Sequence, residues 1–196
     1  MRTYPAPVQP ELPIWLTTSG SPETFRAAGR MGVGVLTHLL GQDLDELALS
    51  IAEYRRCFAE AQQGAPAGGP AASNGHVVLM LHTFVGTDRE TVRETVRKPF
   101  SDYLRSSIRL FERTASDAGP EDLHPEDVEF LVQQSFNRYF ETSGLFGTVE
   151  DAERVVRRLE AAGVDEVACL IDFVGDTDAV LSGLKHLDEL RRRCDG

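Results

Sequence analysis

Residues 12–32 read LPIWLTTSGSPETFRAAGRMG, and this stretch decides how the chain is organised. An apolar run, Ile14-Trp15-Leu16, passes into Thr17-Thr18-Ser19-Gly20-Ser21, and Pro22-Glu23-Thr24 then opens a helix. Serine followed by proline is the expected punctuation of a helix start, because proline lacks an N–H that the first turn leaves unpaired anyway. The pattern predicts a strand over about 13–18, a turn, and a helix over about 22–31. Such a helix end carries unpaired N–H groups and the positive end of the aligned peptide dipoles. Hydroxyls at Ser19, Ser21 and Thr24 surround it, and Gly20 leaves room for close approach, so the turn is a candidate phosphate seat. A plainer reading also fits: Ser21 caps the helix, and Thr24 is an ordinary first-turn residue.

Working outward, strands and helices alternate. Upstream, Pro5, Pro7, Pro10 and Pro13 exclude helix or central strand and leave an extended lead-in. Downstream, Val33–His38 reads as a second strand, and Asp43 as the cap of a helix carrying Leu44, Leu47, Ile51 and Tyr54 to about residue 61. The uncharged run QQGAPAGGPAASNG, residues 62–75, reads as a surface loop. Val77–Val85, VVLMLHTFV, is almost continuously apolar, as expected of a parallel strand buried on both faces. Gly86-Thr87-Asp88 caps the next helix, and Pro99 marks a stop or kink in it. Residues 100–146 show no strand pattern and read as a helical excursion with a turn at Gly119-Pro120 and a new helix opening at Pro125. Its aromatic residues, Phe100, Tyr103, Phe111, Phe130, Phe136, Tyr139 and Phe140, need a surface to bury against. A helix over Val149–Ala162, a fourth strand over Glu166–Phe173 and a last helix over Asp178–Arg193 complete the chain. The expectation is an α/β fold of parallel βα units in one domain, residues 1–196.

Composition narrows the function classes. Against 20 Lys and Arg stand 31 Asp and Glu, a formal net charge of −11. That charge is repelled by nucleic acid and by anionic membrane surfaces, so the expected ligand is a small molecule, with no nucleic acid and no membrane. Three cysteines without CxxC spacing suggest reduced thiols and no metal site, and the opening residues lack the apolar core of a signal peptide. The expected compartment is cytoplasmic.

In parallel α/β folds ligands sit at the C-terminal ends of the strands. Two imidazoles fall there, His38 and His82, each either a hydrogen-bonding or proton-transferring group or a packed histidine bonded to backbone. Asp172 either orients a ligand or caps the turn at Gly175-Asp176-Thr177. Cys169, inside an apolar strand, reads as a core thiol. The run EDAERVVRR, residues 150–158, reads as a solvated helix face with i, i+4 charge support.

Pro13 through Thr37-His38-Leu39-Leu40-Gly41, together with GVDEVACLIDF at residues 163–173, resembles the bacterial luciferase-like flavin-dependent monooxygenases, especially their natural-product biosynthesis branch. The resemblance implies the second half of a (β/α)8 barrel, with four strands equivalent to its last four and a helical insertion before the final one. It implies reduced FMN as cofactor and molecular oxygen as co-substrate, with Ser19, Gly20, Ser21 and Thr24 holding the FMN phosphate. Because only half of that barrel is matched, it also implies a homo-oligomer or a complementary N-terminal half-barrel. The alternative is a non-catalytic flavin- or phosphate-ligand-binding scaffold.

Overall fold

In the computed structural model the described residues are 8, 12–40, 42–63, 75–115 and 125–194. Most of the proline-rich lead-in, most of the 62–75 loop and the Gly119-Pro120 turn lie outside them. Five strands and six α-helices follow in the order β1 (Trp15–Thr17), α1 (Pro22–Met31), β2 (Gly34–His38), α2 (Leu44–Gln63), β3 (Val77–Val85), α3 (Arg89–Ala115), α4 (Pro125–Arg138), β4 (Leu145–Gly147), α5 (Val149–Ala161), β5 (Glu166–Leu170) and α6 (Thr177–Cys194). A π-helical turn, Tyr139–Ser143, joins α4 to β4. β1 pairs with β2, β2 with β3 and β3 with β4, all parallel, and β5 also pairs with β3. The expected parallel α/β class is what the chain adopts.

The chain divides into two compact units. Residues 1–80 and 162–167 form one, and residues 81–161 and 168–196 the other. In the first unit α1 starts at Pro22 and stops at Gly32, whose φ of 68° lets its N–H reach Gly29 O while Val33 N–H reaches Ala28 O. That paired closure is the Schellman arrangement. Asp43 and Glu46 cap α2 reciprocally: Glu46 N–H donates to Asp43 Oδ1 (2.9 Å) and Asp43 N–H to Glu46 Oε2 (3.0 Å). The two helices meet at Gly29, where an added Cβ would lie 2.6 Å from Tyr54 O, so only glycine permits this approach.

In the second unit Asp88 accepts the Thr91 N–H at 2.8 Å and starts α3. Of the stop or kink expected at Pro99, the stop does not occur, for the helix runs through it. Val92, Val96, Phe100 and Leu104 recur every four residues and are all buried, so the stripe crosses the proline. Four such side chains contribute about 1.5–3 kcal/mol each, against roughly 3 kcal/mol for proline in a helix interior. One expectation fails. The stretch 100–146 is not wholly helical, because Leu145–Gly147 forms β4 in register with Thr83–Val85 and makes the strands five rather than four. Three residues are too few to show a two-residue period, so the strand exists only through its partner. Phe100, Phe136, Tyr139 and Phe140 are buried in one cluster within the unit, and the side chain of Phe111 lies outside the described residues. Phe136 stacks on Phe140 and Phe140 on Phe146, with Phe100 5.4 Å from Phe146, while Tyr103 and Phe130 stay exposed. β5 also ends at Leu170, short of the expected Phe173.

Candidate functional site

The turn between β1 and α1 is held from behind by buried polar side chains. Thr18 Oγ1 accepts the Ser21 N–H (3.1 Å), and the Thr18 carbonyl accepts the Thr37 hydroxyl (2.9 Å). Gln42 Nε2 donates to Thr37 Oγ1 (3.2 Å) and to the His38 carbonyl (2.7 Å). Thr18, Thr37 and Gln42 are each at least 95% buried. Gly20 adopts φ +100°, and a Cβ there would come within 3.1 Å of the Gln42 side chain. Left-handed backbone and the proximity of Gln42 together call for glycine. The turn is therefore fixed, not merely exposed.

On its outer side, Ser21 makes no side-chain capping bond, and Thr24 and Phe25 N–H both turn back to the Ser21 carbonyl at 3.0 and 3.2 Å. The simple reading of Ser21 as a side-chain cap is therefore not what the geometry gives. The hydroxyls of Ser19, Ser21 and Thr24 have no partner among the described residues. Three hydroxyl donors thus stand at the positive end of a ten-residue helix. The one adjacent carboxylate, Glu23, is drawn along the helix by Arg30 (2.6 Å) and Arg26 (2.9 Å). Hydrogen bonds from Arg30 and then Arg26 hold its carboxyl below the usual range. Ser19, Gly20, Ser21 and Thr24 are thus brought together in one unit, beside β2.

His38, at the end of β2, accepts the Leu40 N–H on Nδ1 at 3.1 Å, and burial lowers its pKa. Both features favour the neutral ring with its proton on Nε2. His38 is therefore bonded to backbone through one nitrogen and offers a donor through the other. His82 belongs to the second unit, where its ring lies 4.5 Å from Tyr103, 4.8 Å from Phe100, 5.8 Å from Phe173 and 6.0 Å from Tyr139. Burial pushes the neighbouring Tyr139 phenol up to about 12, so it stays protonated. Asp172 makes no hydrogen bond to the turn at Gly175-Asp176-Thr177 among the described residues, and Asp176 caps the last helix, accepting Asp178 and Ala179 N–H at 3.0 and 3.1 Å. Cys169 carries a thiol raised by burial. Among the described residues no group of three His, Cys, Asp or Glu side chains is placed to hold a metal ion, and no helix is long and apolar enough to cross a membrane.

Thr18 and Thr37 are legible from sequence as strand-end residues, but their hydrogen bonds, and the role of Gln42, are not. The bonding of a buried threonine at a strand end and the role of a glutamine beyond the next strand carry no signal until the strands are paired.

The chain belongs to the luciferase-like monooxygenase family, whose model matches residues 1–193. Solved structures share the fold. The monooxygenase RslO1 from Streptomyces bottropensis superposes with a TM-score of 0.65 at 15% identity over 98% of this chain and 51% of its own. An F420-dependent secondary alcohol dehydrogenase, in complex with an F420-acetone adduct, gives 0.61 at 16% over 95% and 51%. The oxygenating constituent of 3,6-diketocamphane monooxygenase from Pseudomonas putida, in complex with FMN, gives 0.57 at 20% over 91% and 47%. The chain spans about half the length of these proteins. Among curated proteins none matches.

Proposed function

We propose that this chain is the flavin-phosphate-binding part of an FMN-dependent monooxygenase acting with molecular oxygen on a small organic substrate. The observation that carries the reading is the set of unpartnered hydroxyls, Ser19, Ser21 and Thr24, at the α1 N-terminus beside Gly20, on a turn fixed by Thr18, Thr37 and Gln42. Hydroxyl donors at a positive helix end fit a phosphate dianion, and the protein's negative overall charge makes such local donors necessary. Glu23 is paired with two arginines and so repels the phosphate less. His38 supplies a neutral Nε2–H donor at the strand end. When bound, the reduced flavin supplies the electrons and the oxygen chemistry. The protein's part is to seat it, orient it and exclude water.

The family's natural-product branch supports a biosynthetic role in the cytoplasm. The chain is read as working with a second copy of itself or a complementary N-terminal half-barrel, either of which would cover the open edge of β1. β1 has only β2 as a partner among the described residues, with Trp15 41% and Ile14 57% exposed, and an apolar edge of this kind needs cover. A second reading is a flavin- or phosphate-ligand-binding scaffold without turnover, for which the same α1 turn would serve equally well.

Flavin fluorescence separates these possibilities. FMN should bind at least about tenfold more tightly than riboflavin, which lacks the phosphate. Equal affinities for the two would remove the phosphate seat. Oxygen-dependent substrate oxidation with reduced FMN then distinguishes enzyme from scaffold.

A further inference from the structure

A cavity of about 450 Å³ in the second unit lies between the start of α3, the π-helical turn and α5. Its charged lining is Arg89, Arg154 and Arg158 against Glu141 and Asp151, three positive groups to two negative in a chain whose overall formal charge is −11. Arg89 pairs with Glu141 (2.7 Å) and approaches Asp151 (3.5 Å), and Arg154 pairs with Asp151. The run 150–158 is the solvated, ion-paired helix face that its sequence suggests, and Arg154 and Arg158 of that face border this cavity. Arg157 has Glu153 and Glu160 at 3.5 Å, whereas Arg158 has no carboxylate partner among the described residues. Arg154 and Arg158 stand one helical turn apart and share a face.

The remaining lining is apolar, with Val155 partly exposed and Phe140 and Phe146 almost fully buried. Phe140, in the π-helical turn, lies under the Arg89 guanidinium at 4.9 Å. A π-helical turn inserts a residue into the helical ladder and recurs at functional positions. Here it brings Phe140 and Glu141 to the cavity. The volume far exceeds what a lone inorganic ion fills and falls in the range of small-molecule sites.

We propose that this cavity binds an organic anion, with a phosphate or carboxylate head shared between Arg158 and Arg154 and an apolar body against Val155. Guanidinium forks match both oxyanions, and the apolar wall favours a carbon-bearing ligand over a bare ion. The site is separate from the turn proposed for FMN and does not depend on it.

Calorimetric titration of the full chain with phenyl phosphate, benzoate and inorganic phosphate tests this. At least one aromatic anion should bind saturably and at least about tenfold more tightly than inorganic phosphate, with affinity falling as salt rises. Which of the two binds more tightly identifies the head group. R158A should weaken binding by about tenfold or more and R158K by less, both with unchanged circular dichroism. S21A/T24A should leave it unaltered. No saturable binding by either aromatic anion, inorganic phosphate binding as tightly, or R158A binding as well as the parent would overturn the proposal. Loss of binding in S21A/T24A would do the same, by moving the anion to the α1 turn.

Discussion

Arg55 and Asp165, 110 residues apart, form a two-point contact: one guanidinium nitrogen, Nη2, lies 3.0 Å from Oδ1 and 3.1 Å from Oδ2. The same nitrogen donates to the Gly163 carbonyl at 2.7 Å, and Asp165 Oδ2 accepts the Val77 N–H at 2.7 Å. The backbone N–H of Asp165 donates in turn to the Val77 carbonyl. This pair ties the segment entering β5 to α2 and to the start of β3.

Both side chains are partly shielded, and each serves more than one partner, so the contact outweighs an ordinary surface ion pair. Asp165→Asn and Arg55→Met should each destabilise the protein by about 1.5–3 kcal/mol in urea unfolding, with a double mutant costing less than the sum. Additive losses would show that the two side chains act independently.

For the proposed phosphate seat, Ser21→Ala with Thr24→Ala should weaken FMN binding by at least about tenfold, since hydrogen bonds to a charged group contribute on the order of 1.5–3 kcal/mol each. The buried Gln42 acts from behind the turn. Gln42→Leu should reduce both FMN affinity and thermal stability, because it strips a donor from Thr37 and from the His38 carbonyl. The double alanine variant should leave stability nearly unchanged. Fluorescence titration beside thermal melting reads the two effects apart.

His38 predicts an acid sensitivity. Burial lowers its pKa from the ordinary 6.5, so the unfolded chain takes up this proton at higher pH than the folded one. The stabilisation is complete above about pH 6.5 and is lost as pH falls through the lower folded-state value. Protonation also removes the Nδ1 acceptor of the Leu40 N–H. His38→Gln should flatten the loss of stability as pH falls below about 6.5 relative to the parent, measured by urea midpoints. An unchanged slope would assign the acid sensitivity to other groups.

Pro99 offers a test of α3. Within a continuous helix, proline removes one backbone hydrogen bond and crowds the carbonyl four residues before it. Pro99→Ala should stabilise the protein by about 1–3 kcal/mol, the gain being reduced by the greater freedom of the unfolded chain. A destabilised variant would mean that the helix needs its proline as a bend.

The sequence by itself determined the elements whose signal lies within one element or its ends. Pro22 and Gly32 bracket α1, Asp43 announces α2, and the apolar run of β3 is long enough to be read to its last residue. The cluster Ser19, Gly20, Ser21 and Thr24 was legible for the same reason, because six consecutive positions hold all four residues. Only tertiary structure decided what depends on partners distant in sequence. β4 has three residues and becomes a strand by pairing with Thr83–Val85. Pro99 reads locally as a stop or a kink, and the buried stripe on both sides of it carries the helix through. Gln42 acquires a role when β1 and β2 lie side by side, and Arg158 stands out once its neighbours have taken their carboxylates. Periodicity and capping are short-range properties of the chain. Strand pairing, the burial of a polar side chain and the sharing of charges are settled only by which distant residues come into contact.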